Sequence, residues 1–269
     1  MPELTLRRAR HREEVERAAA VTAEAFAARP DRGDVAPERF LARTVDVPGL
    51  PLDNVLLGFV DGEVVCGLQL YDRVTVLNGY RLPFAGVGNV MCHPDHQGEG
   101  YGSRLMQFAV DVVEDRGYPL SILRGDRSLY RRHGWERAHA TRTVAHDPEP
   151  VPYGGAADHV DRGFVAYDHD RLDDLMAVHR ATVRRTDLVP WRTRAIWEDW
   201  VFELDFADPE DLLLYCDPNG EVEGYLAVGE RDGAPVCREL GHGYADDDER
   251  GAFLAACWDE LAGRANERL

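Results

Sequence analysis

From Gly86 to Ser103 the chain reads Gly-Val-Gly-Asn-Val-Met-Cys-His-Pro-Asp-His-Gln-Gly-Glu-Gly-Tyr-Gly-Ser. Glycines stand at three alternate positions, Gly98, Gly100 and Gly102, where a helical pattern begins. Glycine lets the backbone approach a ligand closely and takes dihedrals that other residues avoid. The first N–H groups of a helix lack internal partners, and the helix dipole favours an anion there. The chemistry is therefore that of a phosphate or pyrophosphate seat. A Walker loop needs a lysine, and the chain contains none. A dinucleotide fingerprint needs Gly-x-Gly-x-x-Gly, which these three glycines do not supply.

The seat needs a strand before it and a helix behind it. Val87 to Cys92 predicts a buried strand stopped by His93-Pro94, and Tyr101 to Arg116 predicts a helix with Leu105, Phe108, Ala109, Val112 and Val113 on one side. Gly117 is placed to end that helix, and Leu120 to Leu123 predicts a strand that completes a parallel crossover unit. Upstream, Leu4 to Arg8 reads as an edge strand, Glu13 to Ala28 as a helix and Pro37 to Arg43 as a shorter one. Asn54 to Val60, Asp61-Gly62 and Glu63 to Tyr71 predict a hairpin, with Arg73 to Tyr80 extending its sheet. Downstream, Asp126 to Trp135 predicts a short helix that ends Tyr130-x-x-x-Gly134-Trp135.

A proline- and glycine-rich stretch, Asp147 to Gly155, reads as a linker, and the first pattern then partly repeats. Strands are expected at Gly163 to Tyr167, Leu212 to Cys216, Glu221 to Val228 and Val236 to Leu240. Helices are expected at Arg171 to Arg185, Pro190 to Phe202 and Arg250 to Ala262. The division is 1–147 for a catalytic domain, 148–160 for a linker and 161–269 for a second domain. At the second domain's corresponding loop stand Asp246, Asp247, Asp248 and Glu249. Carboxylates cap a helix start well but repel a pyrophosphate, so this copy is expected to be degenerate and to wall the acceptor cleft.

Gln97, Gly100 and Gly102 fill every defined place of Gln/Arg-x-x-Gly-x-Gly/Ala, and the loop resembles the acetyl-CoA pyrophosphate loop of the GCN5-related N-acetyltransferases (GNAT). Tyr130, Gly134 and Trp135 resemble the same family's second signature. The tandem arrangement, together with Gly117-Tyr118-Pro119, looks most like the Eis-type (enhanced intracellular survival) enzymes, strongly over 84–140 and weakly over 160–265. The resemblance implies an α/β fold of two tandem GNAT-like domains, each a mixed central sheet flanked by helices, the second degenerate. Members of that group carry a further sterol-carrier-like domain that this sequence lacks, and their terminal carboxylate reaches the active site. Both the general base and a homo-oligomeric packing are left open by this departure.

The activity implied is acetyl transfer from acetyl-CoA, as cosubstrate, to an amine by direct attack. Backbone groups of Val90, Met91 and Cys92 would hold the pantetheine arm and the thioester carbonyl. Gln97 belongs to the loop, and the amides of Gly98, Glu99, Gly100, Tyr101, Gly102 and Ser103 would take the pyrophosphate. Gly125 and Asp126 would lie near the thioester, and Tyr130 would protonate the departing thiolate. A tyrosine's ordinary pKa near 10 keeps its proton available for that step. Other tempting residues read as ordinary: His93 and His96 frame the loop rather than bind metal, Cys92 is a buried strand thiol rather than an acyl carrier, and His133 is expected to face away from Tyr130. Trp191, Trp197 and Trp200 read as core.

The formal charge of −18 over 269 residues argues against nucleic acid and suits a small cationic amine, such as a polyamine or aminoglycoside, or a basic peptide. Adaptation to salt would give the same composition. No apolar run is long enough for a bilayer span, and the five scattered cysteines argue for reduced thiols, so no membrane partner and a cytoplasmic setting are expected. Two other functions fit the same residues: a peptide or protein N-acetyltransferase, with a wider groove, and a non-catalytic CoA-binding scaffold.

Overall fold

The computed structural model describes residues 3–27, 51–125, 127–138, 161–198, 201–202, 211–231 and 233–266. It divides into two compact units, Met1–Thr75 with Arg81–Ala140, and Val76–Tyr80 with Thr141–Leu269. The short helix expected at Pro37 to Arg43, the 148–160 linker and Trp200 lie outside the described residues.

The first unit is built on a sheet in the order β1-β2-β3-β4-β5: β1 (Thr5–Arg8), β2 (Val55–Val60), β3 (Glu63–Leu77), β4 (Tyr80–Cys92) and β5 (Ser121–Leu123). β4 and β5 run parallel, because the helix α2 (Tyr101–Asp115) carries the chain back across the sheet between them. β2 is apolar at five of its six positions because both faces are covered. Leu57 and Phe59 pack under α1 (Arg12–Ala27) with Val15, Ala19 and Phe26, while Leu56 packs under α2 with Leu105, Met106 and Ala109. The expected Asp61-Gly62 turn forms, both residues at positive φ.

The sequence reading began the loop strand at Val87. It begins at Tyr80, because Asn78-Gly79, also at positive φ, makes a second tight turn and runs β3 directly into β4. That turn's tip clusters with the second unit, where Leu188 N–H donates to the Val76 carbonyl (2.8 Å) and Asn78 N–H to Asp187 Oδ1 (2.7 Å).

The second unit holds an antiparallel sheet in the order β10-β9-β8-β6: β6 (Gly163–Ala166), β8 (Leu212–Cys216), β9 (Val222–Arg231) and β10 (Ala234–His242). Helix α4 (Leu172–Val183) covers one face through Leu172, Leu175 and Met176, and α6 (Asp247–Asn266) the other through Phe253 and Cys257. The continuous helix expected from Pro190 to Phe202 is not formed. Pro190–Trp191 is a two-residue strand, β7, and the helix α5 (Arg194–Ile196) starts only after Thr193, whose hydroxyl accepts from Ile196 N–H and so caps it there. Trp197 is fully buried, as core. Among the described residues no helix is long and apolar enough to cross a membrane.

Candidate acetyl-CoA site

β4 and β5 pair only at Ala85↔Ser121, Gly86↔Ile122 and Val87↔Leu123, whereas β4 runs on to Cys92. The strands part after Val87, and the backbone of Val90, Met91 and Cys92 lies beyond the fork. At the fork, Asn89 adopts φ 50°, a left-handed conformation that asparagine tolerates better than most residues and that bends a strand. Alternation then splits the side chains: Val90 and Cys92 pack toward α2, and Met91 toward α1.

The chain leaves β4 through His93-Pro94, a single 3₁₀ turn (Pro94–His96) and the glycine loop. Gly98 (φ +85°) and Gly100 (φ +80°) are left-handed, and a Cβ at Gly98, Gly100 or Gly102 would meet nothing within 4 Å. Helix α2 has no side-chain cap and no acidic residue in its first turn. Its first intrahelical bond is Arg104 N–H to the Gly100 carbonyl at 3.1 Å, so the Tyr101, Gly102 and Ser103 amides are its unpaired donors. The Tyr101 side chain is buried under the sheet, so this residue offers the loop only its backbone. His93 and His96 flank the loop as expected: His93 Nδ1 accepts from Asp95 N–H (3.2 Å), and His96 Nδ1 lies 3.5 Å from Glu99 Oε2.

The second unit shows the contrast within its own fold. The amides of Asp248 (2.9 Å) and Glu249 (3.2 Å), in the first turn of α6, donate to Asp246 Oδ1. A carboxylate of the protein occupies the position that α2 leaves to an anion.

After β5 comes the helix α3 (Arg127–Tyr130), then a 3₁₀ turn to His133 that closes on Gly134 at φ +94°. Trp135 Nε1–H donates to Ser121 Oγ (3.3 Å), and Ser121 Oγ–H to the Ala85 carbonyl (3.1 Å), which ties this segment to the paired part of β4 and β5. Gly125 lies flat against the Tyr130 ring; a Cβ there would stand 2.5 Å from Cε2 and 3.3 Å from Cζ. Asp126 lies outside the described residues.

His133, expected to face away from Tyr130, lies against the loop: its Nε2 is 3.4 Å from Ser103 Oγ. Burial and the neighbouring Arg132 push its pKa down. Burial likewise raises the Cys92 thiol, whose Sγ–H points at the His96 carbonyl (3.5 Å); this environment disfavours a thiolate nucleophile.

Sequence reasoning missed a polar cluster on the α1 face of the fork. Gln69, almost fully buried, accepts at Oε1 from Tyr71 O–H (2.8 Å) and Asn89 Nδ2 (3.0 Å); Asn89 Nδ2 also lies 3.2 Å from the Tyr71 hydroxyl. No spacing signals it, because β3 and β4 meet only in the sheet. Beside the cluster lies a shallow recess of about 20 Å³ between α1 and the sheet.

Residues 5–138 match the family model of the acetyltransferase (GNAT) domain. No curated protein matches the chain. Among solved structures, a probable N-acyltransferase from Enterococcus faecalis V583 superposes with TM-score 0.68 at 17% identity, over 99% of this chain and 63% of that one. A GCN5-related N-acetyltransferase from Kribbella flavida gives 0.65 at 19% identity, over 98% and 62%, and Eis1 from Mycobacterium abscessus 0.63 at 20%, over 96% and 64%. The chain thus spans under two thirds of the length of these structures, which share its fold. Over residues 5–138 the chain is therefore similar to acetyltransferase (GNAT) domains, and over its length it shares the fold of these structures.

Proposed function

We propose that the protein is an N-acetyltransferase using acetyl-CoA as cosubstrate, with a small amine as acceptor. The observation that carries this reading is the uncapped start of α2, where three unpaired amides follow two left-handed glycines, directly beyond a strand fork. Gly98 to Ser103 present donors to the pyrophosphate, with no carboxylate in the first turn of α2 to repel it. The backbone of Val90, Met91 and Cys92, freed from β5, takes the pantetheine arm and polarises the thioester carbonyl.

The neutral amine attacks the thioester carbon with its lone pair. As the tetrahedral centre collapses, the C–S bond breaks and the thiolate takes the Tyr130 phenolic proton, while the new amide nitrogen releases its extra proton to solvent. Tyr130 stands in the segment tied to the fork through Trp135 and Ser121. The assay is thiol release from acetyl-CoA across a panel of amines. The Tyr130→Phe variant is expected to lose about 10²–10⁴-fold in turnover while its acetyl-CoA affinity stays within a few-fold. Unchanged turnover would remove Tyr130 from the mechanism, and failure of the wild type to bind acetyl-CoA would remove the reading of the loop.

A further inference from the structure

On β4 the residues that pack under α2 are Ala85, Val87, Val90 and Cys92. Side chains on a strand alternate faces with a period of two, so the longer step from Val87 to Val90 means that one residue is extra there. The neighbouring strand shows the same surplus. A Cβ at Gly86 would stand 3.4 Å from Tyr71 Cβ, whereas Asn89 is bonded to Gln69, so β4 spends one residue more than β3 over this span. Gly88-Asn89 is therefore a β-bulge, and Asn89 takes its left-handed φ of 50°. The bulge changes which amides face the fork. Ahead of it, Ala85 N–H donates to the Leu120 carbonyl (3.0 Å), so odd-numbered residues turn their amides toward β5. Past it, His93 N–H donates to the Val65 carbonyl of β3 (2.8 Å), so Val90 and Cys92 turn theirs to the opposite side, which β5 vacates after Val87.

Resting on the acetyltransferase reading, we infer that Gln69, Tyr71 and Asn89 are positioning residues that hold this bulge and so aim the Val90 N–H at the thioester carbonyl oxygen. Both residues of the bulge are gripped by side chains of β3. The Tyr71 ring lies against Gly88, where a Cβ would stand 2.8 Å from Cε2. Asn89 Nδ2 donates to Gln69 Oε1 at 3.0 Å and lies 3.2 Å from the Tyr71 hydroxyl, which itself donates to Gln69 Oε1 at 2.8 Å. Gln69 is almost fully buried, so the anchor of this triangle is set in the core. Apolar side chains would fill the same space, but hydrogen bonds in a buried cluster fix one arrangement. That matters beside an amide that stabilises developing charge, because a donor held in place beforehand costs no reorganisation as the carbonyl oxygen becomes negative. The three side chains act through the backbone of Val90 and need not touch the thioester themselves.

The test is calorimetry together with infrared difference spectroscopy of acetyl-CoA, isotope-labelled at its thioester carbonyl and bound without an acceptor. A hydrogen bond to the carbonyl oxygen lowers its stretching frequency, and the wild type is expected to show that shift. Asn89→Gly keeps access to the left-handed backbone and deletes the side-chain grip. It should bind acetyl-CoA within about twofold of the wild type while the carbonyl band broadens and returns toward its frequency in free acetyl-CoA. Tyr71→Phe leaves the bond between Asn89 and Gln69 in place and should give a band between the two; if Asn89→Gly fails to fold, Tyr71→Phe still decides. A purely structural cluster would move the melting temperature without moving the band. An unshifted band in the wild type, a wild-type band in the variant that decides, or a band that returns only in step with lost acetyl-CoA affinity would each overturn the inference and leave the acetyl-CoA reading standing. Absence of acetyl-CoA binding in the wild type would instead overturn that reading.

Discussion

Gly125→Ala isolates the position of Tyr130 from its chemistry. Gly125 is outside the left-handed region, so alanine strains no backbone dihedral. The new methyl would stand 2.5 Å from Tyr130 Cε2, and the ring must retreat about 0.9 Å before that contact reaches 3.4 Å. A misplacement near 1 Å in a catalytic group costs on the order of 10²-fold in rate, or about 2.7 kcal/mol of transition-state stabilisation. Stopped-flow thiol release should therefore show kcat down about 10²-fold with acetyl-CoA affinity little changed, because the phosphate loop is untouched. The double variant with Tyr130→Phe supplies the control. If Gly125 acts only through the phenol, adding Gly125→Ala to Tyr130→Phe costs less than about twofold, since the proton donor is already gone. Wild-type turnover in Gly125→Ala, or an equal loss in both backgrounds, would refute the reasoning.

Gly100→Ala and Gly102→Ala should diverge. At φ +80° alanine costs about 1–2 kcal/mol, so Gly100→Ala lowers the melting temperature and weakens acetyl-CoA binding in calorimetry. Gly102 lies inside α2 with open space around it, and alanine there should add up to ~1 kcal/mol of stability through helix propensity, read as a higher melting temperature, while binding persists. The buried Glu14 carboxyl is held down to about 2 by the Arg7 guanidinium, which donates at 2.7 and 3.0 Å, and by Arg10 N–H. A lowered acid pKa contributes stability that is present above its ordinary 4.5 and lost as pH falls toward 2, so Glu14→Gln should flatten the melting temperature across that window. His179 is pushed down to about 4, first by burial and then by Arg192. Its Nε2 faces the Pro190 carbonyl at 3.2 Å and its Nδ1 the Tyr225 hydroxyl at 3.0 Å, with Glu239 beyond. The unfolded ring gains its proton near 6.5 but the folded one only near 4, so stability falls as pH drops between these values, and His179→Gln should remove that slope in thermal melts followed by circular dichroism.

The chain order of strand, loop, helix and strand was legible because each of those elements is written locally. Val87 to Cys92 is apolar apart from Gly88 and Asn89, Gly98 to Gly102 places glycine where positive φ or open backbone is needed, and the buried face of α2 repeats at helical spacing. The acidic start of α6 was equally plain, and the capping by Asp246 is what four adjacent carboxylates at a helix start predict. The Asn78-Gly79 turn carried its signal in two adjacent residues, yet the strand was begun seven residues too late because Pro83 and Gly86 interrupt the apolar pattern. Pro190 to Phe202 failed for the opposite reason. Its tryptophans fall near helical spacing, but Thr193 starts the helix afresh.

What tertiary structure alone decided is where residues distant in sequence meet. Gln69, Tyr71 and Asn89 form one cluster only because β3 lies beside β4; His133 reaches Ser103, and Gly125 lies under Tyr130, only because the segment after β5 folds back on the fork. The backbone seat for a pyrophosphate depends on neighbours along the chain, so sequence determines it. The recess beside that cluster is lined from α1, β2, β3 and β4, whose residues carry no mutual spacing, and only the packing of those elements brings them together.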